Sequence, residues 1–434
     1  MSRTASDLSP PQRTTAVAAR AGRFAAFGVM RERDFRLLFV GMTISSLSMP
    51  MQWVTQMWLV LELTDGAHAA FWLGLSGFVR GLPVLIFSLY GGAVADRMDR
   101  RLLLVLTQVA SIAVAGAIAL LIALDAITIA LLLPLTFLSS AVTSFDQPTR
   151  QALVPDLVPP DQVTNAVALN SMTMFTAMAV GPALAGFLIA GTGLAGAYTV
   201  IAATYLGVLV AVLLLRHRPA PKPAAASRPS AAAEIAEGIR YVRDQPVVLW
   251  LVGISFAVSM LGMAFTNLAA LVVRDVIGGG SESLGWIFTA WGVGAVFGSF
   301  VLAGWLQQIP SKGMLAIVMI AVFVVGLLGF AYATNVAMAA LFQFVPGIAH
   351  TSLMVISTAV ILSVTPALMR GRVMGIYYMN RGLMPFGALL AAFLGEVVGV
   401  QHAIALLALL CGLACVAITL AQRDAWRKVQ GALA

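Results

Sequence analysis

Charged residues in this chain fall in short intervals between long uncharged runs. From the N-terminus the runs cover 37–61, 66–95 (interrupted by Arg80), 102–124, 126–145, 162–215, 245–273, 283–311, 313–369, 373–395 (interrupted by Arg381) and 397–422. A helix needs about 20 apolar residues to cross the hydrocarbon core of a bilayer. Apart from closed barrels, helices alone satisfy their own backbone there. Most runs therefore predict one membrane-spanning helix each. The runs 162–215 and 313–369 are long enough for two, with predicted breaks at the glycine-rich 191–196 and at the polar pair Thr334-Asn335. The ten runs thus predict about twelve spans.

Lysine and arginine set the orientation, because cytoplasmic loops carry their excess. An even number of spans puts both chain ends on one side. On that assignment all but three of the 26 Lys and Arg, Arg150 among them, lie on the side of the termini. Arg274 lies opposite, while Arg80 and Arg381 lie inside spans. The expectation is a multi-pass cell-membrane protein in contact with lipid, both termini cytoplasmic. The arm 1–36 is polar and arginine-dotted, without the short apolar core and cleavage site of a signal peptide. Six spans (37–215) precede a linker at 216–245, six (246–422) follow it, and 423–434 form a cytoplasmic tail. The linker opens with "RHRPAPKPAAASRPS", too proline-rich for a helix. It continues "AAAEIAEGIRYVRDQP", where Ile235, Ile239 and Val242 share a face opposite Glu234, Glu237 and Arg240. That pattern predicts a short amphipathic helix along the membrane surface.

Composition narrows the function. At 60% hydrophobic and 10% charged residues, the chain has too little polar surface for a water-soluble domain, which carries about 25% charge. The net charge of +8 would suit a nucleic-acid binder only if clustered on a soluble domain; here it flanks apolar runs. No Gly-x-x-x-x-Gly-Lys-Ser/Thr loop is present, so ATP hydrolysis is excluded. The two cysteines, Cys411 and Cys415, lie inside the last run and read as packing, with no metal site or cofactor expected. An intramembrane enzyme would need paired catalytic groups at one depth, and His350 and Asp146 fall in different halves. A channel would be expected to oligomerise around a pore. Both stand as rivals to a transporter.

Two motifs carry a resemblance. The turn after the second span, "GGAVADRMDRR" at 91–101, holds Gly92, Asp96, Arg97, Arg100 and Arg101 in the pattern Gly-x-x-x-Asp-Arg-x-Gly-Arg-Arg, with Asp99 in place of the second glycine. The fifth span holds "GPALAG" at 181–186, with Gly181, Pro182 and Gly186. With the six-plus-six plan, these resemble the major facilitator superfamily. The stretches "DFRLLFVG" (34–41), "LELT" (61–64), "RGLP" (80–83), "PTRQALVPDLVP" (148–159) and "NAVALNS" (165–171) are similar to its branch of enterobactin exporters and macrolide efflux pumps. Three features depart from the family pattern: "GWLQQIPSKG" at 304–313 lacks an acid and paired arginines, which makes the latch one-sided; 126–145 lacks the arginine of many drug–proton antiporters; and the aromatic and acidic residues of cation-drug pockets are sparse.

The resemblance implies an all-α membrane protein of twelve helices in two pseudo-symmetric six-helix bundles, working as a monomer by alternating access. It implies export of a small amphiphilic or anionic, siderophore- or antibiotic-like molecule, with protons as the coupling ion; import by the same fold is the alternative. The 91–101 cluster would latch the halves on the cytoplasmic side. The fifth and eighth helices, the latter with Gly292, Gly294 and Gly298, would meet between the halves, as would the second and eleventh.

Ionisable groups at membrane depth are candidates for function, since each costs at least ~2.5 kcal/mol on a lone helix. Arg80 and Arg381 are each followed by glycine and then proline. They either face the central cavity and bind substrate, or pair with a carboxylate or carbonyl in their own half. Asp146 is a gate or proton site, or a helix-end charge; His350 is a substrate or proton group, or a hydrogen-bonded core histidine. Glu62 and Glu396 near the outer ends are interfacial or proton-accepting. Ser45, Ser48, Gln52, Thr55 and Gln56 form a polar stripe on the first span, and Ser255, Ser259, Thr266 and Asn267 one on the seventh. With Asn170, Phe175 and Asn380 they either wall the substrate path or bond helix to helix. Met172, Met174 and Met178 suit a pliable pocket or simple filling.

Overall fold

The computed structural model describes residues 25–64, 68–216, 231–305 and 312–422, excluding side chains at 25–27, 88–97, 231–234 and 301–305. Eleven continuous segments are long and apolar enough to cross a bilayer. One of them, Pro160–Leu214, contains Gly193 at φ 71°, ψ 178°, a conformation open only to glycine, and so comprises two helices. Twelve crossings result, and the described residues contain no strand. The breaks fall inside 191–196 and at Asn335, as the sequence predicts. Asn335 caps the following helix through Oδ1, which accepts from Met338 N at 2.9 Å.

The first half comprises α1 (Arg33–Leu63), α2 (Ala69–Arg97), α3 (Arg100–Ala123), α4 (Ile129–Leu153), α5 (163–192) and α6 (194–214). The linker helix, Ala231–Asp244, leads into the second half. There α7 (Pro246–Ile277), α8 (Ser281–Trp305), α9 (Lys312–Ala331), α10 (Val336–Val364), α11 (Arg370–Val398) and α12 (Val400–Ala421) repeat the plan. Asp99 explains its departure from the motif: its carboxylate caps α3, accepting from Arg101 N at 2.8 Å and Leu102 N at 3.2 Å.

Three expectations are corrected. Arg150 is not a loop cation, because α4 continues through Asp146 and Arg150 to Leu153, both side chains being buried. The two charges neutralise each other, so the helix outruns its uncharged stretch. The linker helix docks on the second half: Gly238 packs on Ile376 and Glu237 pairs with Arg372 at 2.8 Å. Val242 is buried as predicted, yet Ile239 is exposed. On α8, Gly292 approaches Met178 of α5, but Gly294 and Gly298 face Phe344 and Ile348 of α10 in their own half. Residues three or four apart share a helix face, so 294 and 298 mark one face and 285 and 292 another. Cys411 and Cys415 are buried in α12, Cys411 against Gly262, in keeping with packing.

Candidate functional site: the seam between the halves

Two helix pairs make most of the contact between the halves. On one, α2 and α11 run antiparallel in tight register: Ala70 meets Gly395, Gly74 meets Ala392, Gly81 meets Pro385 and Leu85 meets Gly382. A methyl at Gly81 or Gly382 would collide with the opposing side chain. On the other, α5 and α8 touch through Gly186 on Ser281, Pro182 on Gly285 and Met178 on Gly292. Ser281 Oγ donates to Gly186 O at 3.2 Å, and Ala183 N donates to Thr289 Oγ1 at 3.1 Å. The "GPALAG" segment therefore serves close approach; Gly181 itself packs on Pro50 within the first half.

These contacts crowd toward the end opposite the termini. There Phe187 meets Trp286 at 5.7 Å, Trp53 meets Phe288 at 5.1 Å and Phe78 meets Phe386 at 6.0 Å. Glu396 at the end of α11 reaches across to the first turn of α2, accepting from Phe71 N at 3.0 Å with His68 Nδ1 at 3.2 Å. Toward the termini, α5 buries the face of Ala166, Leu169, Thr173 and Ala177, while Met172, Met174 and Phe175 are exposed, as are Tyr378 and Met379 on α11. The halves thus close at one end and part at the other.

Arg80 and Arg381 flank the α2–α11 seam, each one residue before a glycine that packs across it. Neither meets a carboxylate or carbonyl among the described residues. The Arg80 guanidinium lies over the Trp53 ring at 5.4 Å, and that of Arg381 over Tyr378 at 5.5 Å. Arg381 stands on a 3-10 turn, Met379–Leu383, ahead of Pro385, which has no N–H to continue the α-helical ladder. Its neighbour Asn380 donates to Ser255 Oγ, while Asn380 Oδ1 is buried without a donor.

Ser255, Ser259, His350, Ser357, Tyr377 and Asn380 converge on a small cleft in the second half that apolar Val258, Leu353 and Met354 also line. Ser259 sits in a π-helical turn, Val258–Gly262, an irregularity that often accompanies function. His350 lies between the rings of Trp291 (5.7 Å) and Phe323 (6.1 Å) and makes no side-chain hydrogen bond among the described residues. Asn267 lies against Gly77 of α2, so it belongs to the seam.

The α1 stripe is engaged inside the first half. Gln56 Nε2 donates to Ser76 Oγ at 2.7 Å and Thr136 Oγ1 at 2.9 Å; Gln52 Nε2 donates to Ser139 Oγ at 3.0 Å and Gln52 Oε1 accepts from Tyr205. Asp146 pairs with Arg150 at 2.6 Å and accepts from Gln108 Nε2 at 2.6 Å and Thr107 Oγ1 at 3.1 Å. Arg150 also donates to Ser45 Oγ and Gln108 Oε1. This buried network joins α1, α3 and α4. Its members Gln108 and Arg150 escaped sequence reasoning; the spacing of four between Asp146 and Arg150 was the available signal.

Other candidates lie apart. Glu62 is exposed at the end of α1, Asn170 is half-buried on α5 and Phe175 is exposed there. Arg100 pairs with Asp156 and donates to Ala152 O, and Arg101 donates to Leu213 O, tying α3 to the ends of α4 and α6. The side chains of Gly92, Asp96 and Arg97 lie outside the described residues.

Two six-helix halves, closed at one end, with two intramembrane arginines that meet no carboxylate among the described residues, have the layout of a secondary transporter. The sequence profile described as transmembrane secretion effector matches residues 24–430, and the chain belongs to that family of major facilitator transporters. It is a multi-pass membrane transporter, not an enzyme. It is 25% identical to the staphyloferrin A transporter of Staphylococcus aureus over 372 residues, 85% of this chain and 91% of that one. It is 24% identical to the multidrug efflux pump Tap of Mycolicibacterium fortuitum (79% and 85% covered) and to the enterobactin exporter EntS of Escherichia coli (79% and 80%). The fold matches that of a bacterial homologue of the human lysosomal transporter Spinster, solved inward-facing and unoccupied. That match has TM-score 0.72 at 14% identity, covering 92% of this chain and 98% of that one.

Proposed function

We propose that this protein is a secondary active exporter that carries a small amphiphilic or anionic molecule out across the cytoplasmic membrane. The observation that carries the reading is the pair Arg80 and Arg381, one guanidinium on each half, set beside the seam with no carboxylate partner among the described residues. An uncompensated charge at membrane depth is expensive, so a site that holds two is suited to an anion that supplies the missing partner. Rocking of one half against the other would bring the pair alternately to either face. Without Arg150, the loop charges still favour cytoplasmic termini, which makes the open end of the seam the cytoplasmic one. Siderophore and drug exporters among the relatives support outward transport.

Asp146 is the residue we assign to proton coupling. Its protonation would free Arg150, and through it the bonds to Ser45 and Gln108 that hold α1 and α3. The energy source is then the proton gradient and the working unit a monomer. The test is accumulation of a small panel of siderophores and amphiphilic antibiotics in cells with and without the gene, each with and without an uncoupler. Lower accumulation with the gene, abolished by the uncoupler, is expected. Higher accumulation would show an importer, and insensitivity to the uncoupler would remove proton coupling.

A further inference from the structure

Two hydrogen-bond donors that meet no acceptor among the described residues lie together in the first half. Arg80 brings its guanidinium, and Trp53, beneath it at 5.4 Å, has a buried indole Nε1 with no partner. Buried donors are ordinarily satisfied, and two unsatisfied side by side call for an acceptor. Since one of them is cationic, that acceptor is an oxyanion, such as a carboxylate, sulfonate or phosphate.

The register of the seam fixes where this station lies relative to Arg381. Gly81 is level with Pro385, and Leu85 with Gly382. Arg381 is therefore level with the residue after Leu85, five or six positions along α2 from Arg80. At a rise of 1.5 Å per residue the two backbones differ in depth by about 8 Å. Helical side chains lean toward their own N-terminus, and the two helices are antiparallel. Arg80 accordingly leans toward the closed end, onto Trp53, and Arg381 toward the open end, onto Tyr378 one turn earlier in α11. The two heads diverge, so one small anion cannot bridge both.

We propose that Arg80 and Trp53 form a distinct oxyanion station, deeper than Arg381, so that the substrate is an elongated molecule with two anionic groups about 8 Å or more apart in depth. This inference rests on the anionic reading of the site given above. Arg381, exposed toward the open end, takes one group; the Arg80 station, half-buried, takes the other.

The experiment measures binding to the full-length protein in lipid nanodiscs by calorimetry, with two rigid probes. One is stilbene-4,4′-dicarboxylate, with a carboxylate at each end; the other is stilbene-4-carboxylate. The dicarboxylate is expected to bind at least tenfold more tightly. Arg80→Gln and Arg381→Gln should each reduce it to the level of the monocarboxylate. Trp53→Phe keeps the ring packing, removes the indole donor and should weaken the dicarboxylate severalfold, leaving the monocarboxylate at Arg381 unchanged. Equal binding of the two probes, both lost in Arg381→Gln, overturns the second station while the anionic reading stands. No binding of either probe by a protein that still exports in cells overturns this inference and the anionic substrate, but not export.

Discussion

Glu396 caps a helix that belongs to the other half of the molecule: its carboxylate accepts the backbone N–H of Phe71, in the first turn of α2, at 3.0 Å. The first N–H groups of a helix have no partner within it, and an acid there also meets the positive end of the helix dipole. The same carboxylate lies 3.2 Å from His68. Opening the seam at this end must break both contacts. Glu396→Ala should remove about 1 kcal/mol from the closed state, a roughly fivefold shift toward opening. Labelling of a cysteine at Ala70 by a membrane-impermeant maleimide, in a background lacking Cys411 and Cys415, measures it. Glu396→Gln, which keeps an acceptor oxygen, should fall between; unaltered labelling in the alanine variant would deny Glu396 a gating role.

The ion pair in α4 is a sharper case. Asp146 and Arg150 are both buried, and removing one partner strands the other charge at a cost of about 3–5 kcal/mol. Asp146→Asn should lower the thermal unfolding temperature in detergent markedly. The double variant Asp146→Asn/Arg150→Gln should recover much of the loss, yet stay uncoupled from the proton gradient. A double variant no better than the single one would show that the pair is not the unit.

Gly193 separates α5 from α6 at φ 71°. Nothing lies within 4 Å of where a methyl would sit at Gly193 or at Gly191, so only backbone conformation distinguishes them. Gly193→Ala should cost about 1–3 kcal/mol, whereas Gly191→Ala should be neutral or slightly stabilising. Parallel melting curves decide it.

The linker helix offers a contrast between charge and packing. The Glu237–Arg372 pair at 2.8 Å is partly exposed, Glu237 more than Arg372, and worth about 0–1 kcal/mol, so Arg372→Gln should hardly change limited proteolysis of the linker. Gly238→Leu places bulk where Ile376 stands and should lift the helix and speed cleavage. Equal protection in both variants would mean the helix is held elsewhere.

Much of the architecture was legible in one dimension because lipid imposes a local rule. Each crossing needs its own apolar length and satisfies its own backbone, so twelve helices, the breaks at 191–196 and Asn335, and the division by the linker could be read from composition alone. Arg80 and Arg381 stood out for the same reason, as charges where none is cheap. Asp99 could have been read as a cap, since an acid two and three residues before the N–H groups it binds is a local signal.

What a side chain meets on another helix could not be read that way. Gln56 looked like a cavity wall and is satisfied by Ser76 and Thr136; Glu396 looked interfacial and binds α2 of the opposite half. Arg150 looked like a loop charge and lies buried beside Asp146. Gly294 and Gly298 show the small-residue pattern of a close approach without saying to which neighbour. Periodicity names the face of a helix; only the packing of the two bundles decides what that face touches, and therefore that the Arg80 guanidinium lies over the Trp53 ring.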